Sequence, residues 1–269
     1  MRNFFLWLFE KRATPCEITL FNFWHIFYLV LIVGAIITAG VFLSKKSAEV
    51  KMKVLSVLSV ALCALYAADF FIMPLYMDTI DVDKLPFHIC TVLCPVVAFV
   101  QFNKKFERFR EPVAFLAVVA PLMYLVYPGA AVGDLSAFCY KVLQTFIYHG
   151  TLLCWGYLNI ATGIVKPEIK NSYKALIGIC MIAVWAMIGN LTYGVAYNYG
   201  DGDPHFDWFF LTGSTFPFVP KILMPLCVIV AVFGMVLIIY GLWYLVMNIL
   251  DKKRAASSAD EEEKETAQV

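Results

Sequence analysis

The chain predicts an all-α fold: a polytopic membrane helix bundle of seven transmembrane helices, with the N terminus outside and the C terminus in the cytoplasm. Three observations predict it. Of 269 residues, 61% are hydrophobic and only 15% charged, and mean hydropathy is +0.76; a soluble domain is about 45–50% apolar and about 25% charged. Seven apolar runs approach the roughly 20 residues that cross a bilayer at about 1.5 Å each. The lysines and arginines between those runs fall overwhelmingly on alternate loops. A net charge of +1 supplies no basic surface for nucleic acid. Membrane lipids are the expected partners, and nothing in the sequence marks an oligomeric state.

Taken in order, residues 1–17 read as an interfacial segment. Phe4, Phe5, Trp7 and Phe9 form an apolar run too short to span, closed by Glu10-Lys11-Arg12, and no small-residue cleavage site follows. The membrane domain is 18–250. Its spans run from Ile18 to Leu43, Val54 to Tyr76, Leu85 to Phe102, Pro112 to Tyr127, Ala137 to Gly163, Ser172 to Tyr197 and Val219 to Leu250. Residues 251–269 end in a run of Asp, Glu, Lys and Ser and read as a disordered cytoplasmic tail. Cytoplasmic loops carry the excess of Lys and Arg. The N-terminal segment and loops 2–3, 4–5 and 6–7 hold Arg2, Lys11, Arg12 and Lys84, whereas the opposite loops and the tail hold 15 cations, among them Lys45, Lys104, Arg110 and Lys170. This asymmetry sets the expected orientation.

Polar residues inside the spans carry the functional argument, because ionisable groups at membrane depth are costly and mark sites by default. Placed by span direction, His25, Asp69, His88, Thr91, Gln144, His149 and Asn190 fall toward the outer half. Polar groups in lipid must find partners within the bundle or line a wet cavity, so a shared outward-facing cavity is expected. Asn159 is the exception, in the inner half. His25 follows an aromatic Phe-Asn-Phe-Trp stretch and reads as interfacial. Asp69 has Lys141 as its expected partner. The outer loop from Tyr199 to Pro217 holds Asp201, Asp203, His205, Asp207 and Trp208; a connection of that length is a candidate lid.

The stretch from Lys84 to Pro95 concentrates these signals. Pro86 suits a first helical turn, which puts His88 one turn inside. His88 and Thr91 are i, i+3 and Thr145 and His149 are i, i+4, so each pair shares a helix face. His88 and Cys90 are i, i+2 and do not face each other. Of the eight cysteines, most lie in apolar runs and behave as small hydrophobes. Cys16 and Cys139 share a membrane face, but sequence does not pair them. No zinc-type cysteine spacing occurs, and His88, His149 and Asp69 form no local metal motif. No metal and no cofactor are expected.

Leu85-Pro86-Phe87-His88-Ile89-Cys90 resembles the Leu-Pro-Leu-His-Leu-Cys signature of the YwaF family of bacterial integral membrane proteins. Pro128-Gly129, His149, Asn190 followed by Tyr197, and Gly213 to Phe218 appear in matching order. The similarity extends over about Phe21 to Leu250. More distantly the chain resembles the transmembrane protein 164 acyltransferases. That resemblance implies remodelling of glycerophospholipids through an acyl-cysteine. In that branch the cysteine directly precedes the motif histidine; here Phe87 stands in its place, so the histidine carries over and the acyl-cysteine does not.

Three functions remain open on the sequence. The first is acyl transfer or hydrolysis on a lipid-like substrate, with His88 or His149 activating Cys90 or Thr91, and Gln144, Asn190 and Asp69 binding substrate. The second is a proton-linked small-molecule transporter, against which stands the lack of an internal repeat. The third is a lipid-binding protein without chemistry.

Overall fold

The computed structural model describes residues 16–72, 74, 84–129, 133, 135–194, 207–212 and 218–266, with backbone alone at 193–194, 251 and 253–266. Seven principal helices occur among them: α1 Phe23–Ser44, α2 Ala48–Ile72, α3 Ile89–Phe102, α4 Arg110–Val126, α5 Tyr140–Ala161, α6 Ser172–Gly189 and α7 Met224–Thr266. Each stands at one of the seven apolar runs. No strand forms among the described residues beyond an isolated bridge between Glu17 and Ser136. Five segments are long and apolar enough to cross a membrane, those containing α1, α2, α4, α6 and α7, while Ile89–Phe102 is apolar but shorter. Helix α5 is long enough but carries Gln144, Thr145, His149 and Asn159. The first 15 residues and most of the Tyr199–Pro217 loop, including Asp201, Asp203 and His205, lie outside the described residues. Helical backbone continues to Thr266, past the boundary at Leu250 where the sequence suggests an unstructured tail; Ala, Glu and Lys there are strong helix formers.

Helices α4 and α5 make the centre. Every residue of α4 from Pro112 to Pro121 is buried, the pattern of a helix enclosed on all sides. Helix α5 packs along it and also meets α1 and α2; α6 and α7 cover α4 from the other side, and α3 fits between α2 and α4. Within lipid such association relies on close packing and polar contacts rather than on escape from water. Gly156 supplies the close packing: a Cβ there would stand 2.7 Å from the Ala114 carbonyl oxygen.

The polar contact at the lysine-rich end is a knot around Arg110. Its Nη1 donates to Gln101 Oε1 at 2.9 Å and Asn159 Oδ1 at 3.3 Å, and its Nη2 donates to the Val100 carbonyl at 3.3 Å. Gln101 in turn donates to Ser56 Oγ at 2.9 Å and accepts from Trp155 Nε1 at 3.3 Å. No carboxylate pairs with the guanidinium among the described residues. Glu107 is the acidic group within electrostatic reach of it, and the Val100 carbonyl it meets lies in the last turn of α3, where the helix dipole is negative. Arg110 is thus a buried structural residue, although the sequence reads it as a loop charge.

Two further expectations change. His25 is fully buried within the bundle rather than exposed in an aromatic belt: Nδ1 accepts from the Phe21 N–H at 2.9 Å and Nε2 donates to the Leu125 carbonyl at 2.8 Å. It ties the start of α1 to the end of α4 with both ring nitrogens spent. Helix α3 begins at Ile89 with His88 as its N-cap residue, so Pro86 precedes the helix and His88 sits at its mouth. Tertiary contacts override the local preference. Trp185 Nε1 donates to the Pro86 carbonyl at 2.6 Å, and the Phe87 ring lies 5.2 Å from Trp185 and 5.0 Å from Trp208. Gly189 admits that ring, because a Cβ at 189 would stand 2.5 Å from it.

Candidate polar site at the mouth of α3

Asp69, near the end of α2, is almost wholly buried and accepts from the Tyr140 hydroxyl at 2.8 Å. Its other oxygen lies 2.8 Å from Lys84 Nζ. This ion pair takes the place of the expected one with Lys141. Tyr140 opens α5 toward Asp69, and the next residue points about 100° further round the helix. Lys84 is held at both ends. Its carbonyl accepts from the Tyr66 hydroxyl at 2.7 Å, and its ammonium also donates to Gln144 Oε1 at 3.3 Å. Sequence reasoning missed Lys84 by reading it as a loop charge; its position just before the histidine motif was the available signal.

His149 projects from α5 beside this pair. Nδ1 donates to the Thr145 carbonyl at 2.8 Å, one turn back on the helix. The bond fixes the tautomer, because a carbonyl accepts only, and leaves the Nε2 lone pair outward in the neutral ring. The imidazole stacks on Tyr124 at 4.1 Å and 8°, with Tyr148 edge-on at 5.2 Å. Among the described residues nothing hydrogen-bonds Nε2. Lys84 and His88 both stand within electrostatic reach of His149.

At the mouth of α3, His88 Nδ1 accepts from the Phe209 N–H at 3.3 Å. Nδ1 thus holds the lone pair, and the neutral ring carries its proton on Nε2. Asp207 and Lys84 are the charged groups near it. Asn190 stands where α6 passes into a π-helical turn at Asn190–Gly194, a backbone form common at functional sites. Its amide holds the segment 207–212, donating to Asp207 Oδ1 and the Trp208 carbonyl at 3.1 Å each and accepting from the Trp208 N–H at 2.8 Å.

The two candidate nucleophiles are placed differently from the histidines. With His88 an extended N-cap residue, the helical spacing expected between it and Thr91 does not apply; the Thr91 hydroxyl turns to the backbone, 2.9 Å from the His88 carbonyl and 3.3 Å from that of Leu85. Cys90 is buried, with its carbonyl accepting from the Tyr148 hydroxyl at 2.8 Å. No hydrogen bond joins either side chain to an imidazole nitrogen among the described residues. Nor do three His, Cys, Asp or Glu side chains gather there in a metal-binding group.

A family model matches residues 20–240, which include every one of these groups. The chain belongs to the TMEM164 family. No curated protein and no solved structure matches it. In this TMEM164-family member the polar groups sit within a multi-pass membrane bundle.

Proposed function

We propose that this protein catalyses acyl transfer or hydrolysis on a lipid-like ester, at a site opening to the outside of the cell membrane through a seven-span bundle whose C terminus is cytoplasmic. The observation that carries the reading is His149: oriented by Thr145, stacked on Tyr124, with Nε2 unengaged among the described residues and a second histidine within electrostatic reach. His149 Nε2 takes the proton from water or from an acceptor hydroxyl as its oxygen attacks the acyl carbon. His88 Nε2–H and the Gln144 amide, whose oxygen is occupied by Lys84, donate to the carbonyl oxygen as it gains charge. The proton then passes from His149 to the departing oxygen. This route needs no protein nucleophile, which agrees with the separation of Cys90 and Thr91 from the imidazoles. The YwaF-like signature and the absence of a cysteine at position 87 favour a branch of the family that works without an acyl-cysteine.

The test uses purified protein in bilayer nanodiscs of phospholipid, with lysolipid, free fatty acid and newly acylated acceptor followed by mass spectrometry. Product formed by the wild type and lost on His149→Ala supports the reading. Absence of turnover in the wild type, or turnover that survives His149→Ala, overturns it.

A further inference from the structure

We propose that Asn190 sets the tautomer of His88 from across the site, through the strap 207–212, and so determines which ring nitrogen presents a proton. The proposal rests on the reading that His88 donates to the reacting carbonyl.

The strap is anchored at both ends. Asn190 spends its whole amide on Asp207 and Trp208, which leaves the amide one orientation. Asp207 Oδ1 also accepts from the Leu211 N–H, the Thr212 N–H and the Thr212 hydroxyl at 2.8–2.9 Å. Between these anchors Phe209 and Phe210 take φ values of 62° and 56°, a left-handed conformation that costs side-chain-bearing residues energy and persists only where surroundings impose it. Trp208 and Phe209 are buried under the turn, and Trp208 packs on Phe87, the residue before His88. The outcome of this bent backbone is one N–H, that of Phe209, 3.3 Å from His88 Nδ1. A backbone N–H only donates, so it selects the ring form protonated at Nε2. Asn190 never touches His88; it acts as a positioning residue. An intramembrane asparagine often contacts substrate, but here both amide atoms of Asn190 are engaged by the strap.

The test is nitrogen-15 NMR of the full chain in nanodiscs, with labelled histidine and a His88→Gln reference for assignment. The wild type is expected to show His88 as one neutral form with the proton on Nε2. Asn190→Ala is expected to shift the Nδ1 signal toward the protonated position as a second tautomer becomes populated. Asp207→Asn keeps the accepting oxygen and is expected to retain the wild-type form. If Asn190→Ala does not fold, Asn190→Asp, which loses both donors and keeps the acceptor, takes its place. A proton on Nδ1 in the wild type overturns the proposal by itself, as does an unchanged spectrum in the Asn190 variant. A wild type with the expected tautomer but no acyl chemistry leaves the strap standing and removes the proposed function instead.

Discussion

Two polar clusters occupy opposite ends of one bundle, and they are built on opposite terms. Around Arg110 the acceptors of Gln101, Asn159 and Val100 are all engaged, and the guanidinium Nε is sealed from solvent without a partner. Around Lys84 the charges are paired, yet His149 Nε2, His88 Nε2 and the Gln144 amide nitrogen have no hydrogen bond among the described residues. His149 and Gln144 are themselves buried in the bundle. The difference teaches how to separate glue from chemistry in a membrane protein. On the proposed function, polar groups that hold helices together close on one another, whereas the groups assigned to chemistry keep an atom without a protein partner among the described residues.

Removing the open atom gives the largest expected effect. His149→Ala should lower turnover by about 10²–10⁴-fold, the usual contribution of a general base. The same change should cost about 2–3 kcal/mol of stability through lost packing on Tyr124 and the lost bond to Thr145. A parallel thermal-unfolding measurement separates the two, and a collapse of stability would erase the contrast between the clusters. Arg110→Ala is the counterpart, expected to destabilise by about 3–5 kcal/mol as several buried acceptors lose a charged donor. A melting temperature within a degree or two of wild type would show that the knot is not structural.

Asp69→Ala sharpens the comparison further. It strands the largely buried Lys84 ammonium, at about 2–4 kcal/mol, whereas the double change Asp69→Asn with Lys84→Met should recover most of that loss. Equal melting temperatures for the single and double variants would deny the ion pair. The smallest effect is expected at Cys90→Ala, about 1 kcal/mol below wild-type stability and with turnover nearly unchanged. Loss of activity there would restore the thiol as nucleophile.

The helices were legible because apolar runs bounded by charged loops leave few alternatives in lipid. The placement of Asp69, His88, Gln144 and His149 toward one end was legible too, from span direction alone. What escaped was the fate of individual cations. Lys84 and Arg110 both flank apolar runs, and a flanking cation reads as a loop charge until packing shows it turned inward. The start of α3 escaped for a related reason: Pro86 is a good first-turn residue, but Trp185, Trp208 and Gly189, remote in sequence, hold Pro86 and Phe87 outside the helix. His25 looked like one more residue of an aromatic belt, and only the carbonyl of Leu125, 100 residues away, shows why it is buried.

The Arg110 knot also bears on how the chain is assembled. Gln101 and Val100 are at hand within ten residues, but Asn159 follows 49 residues later. While the ribosome is still making α5, the guanidinium has only part of its final coordination and must remain hydrated among the neighbouring lysines. Arrival of α5 is then the step that draws this cation inward and commits the α3–α4 hairpin to its place, so a nascent chain halted before Asn159 should leave residue 110 open to water-soluble reagents.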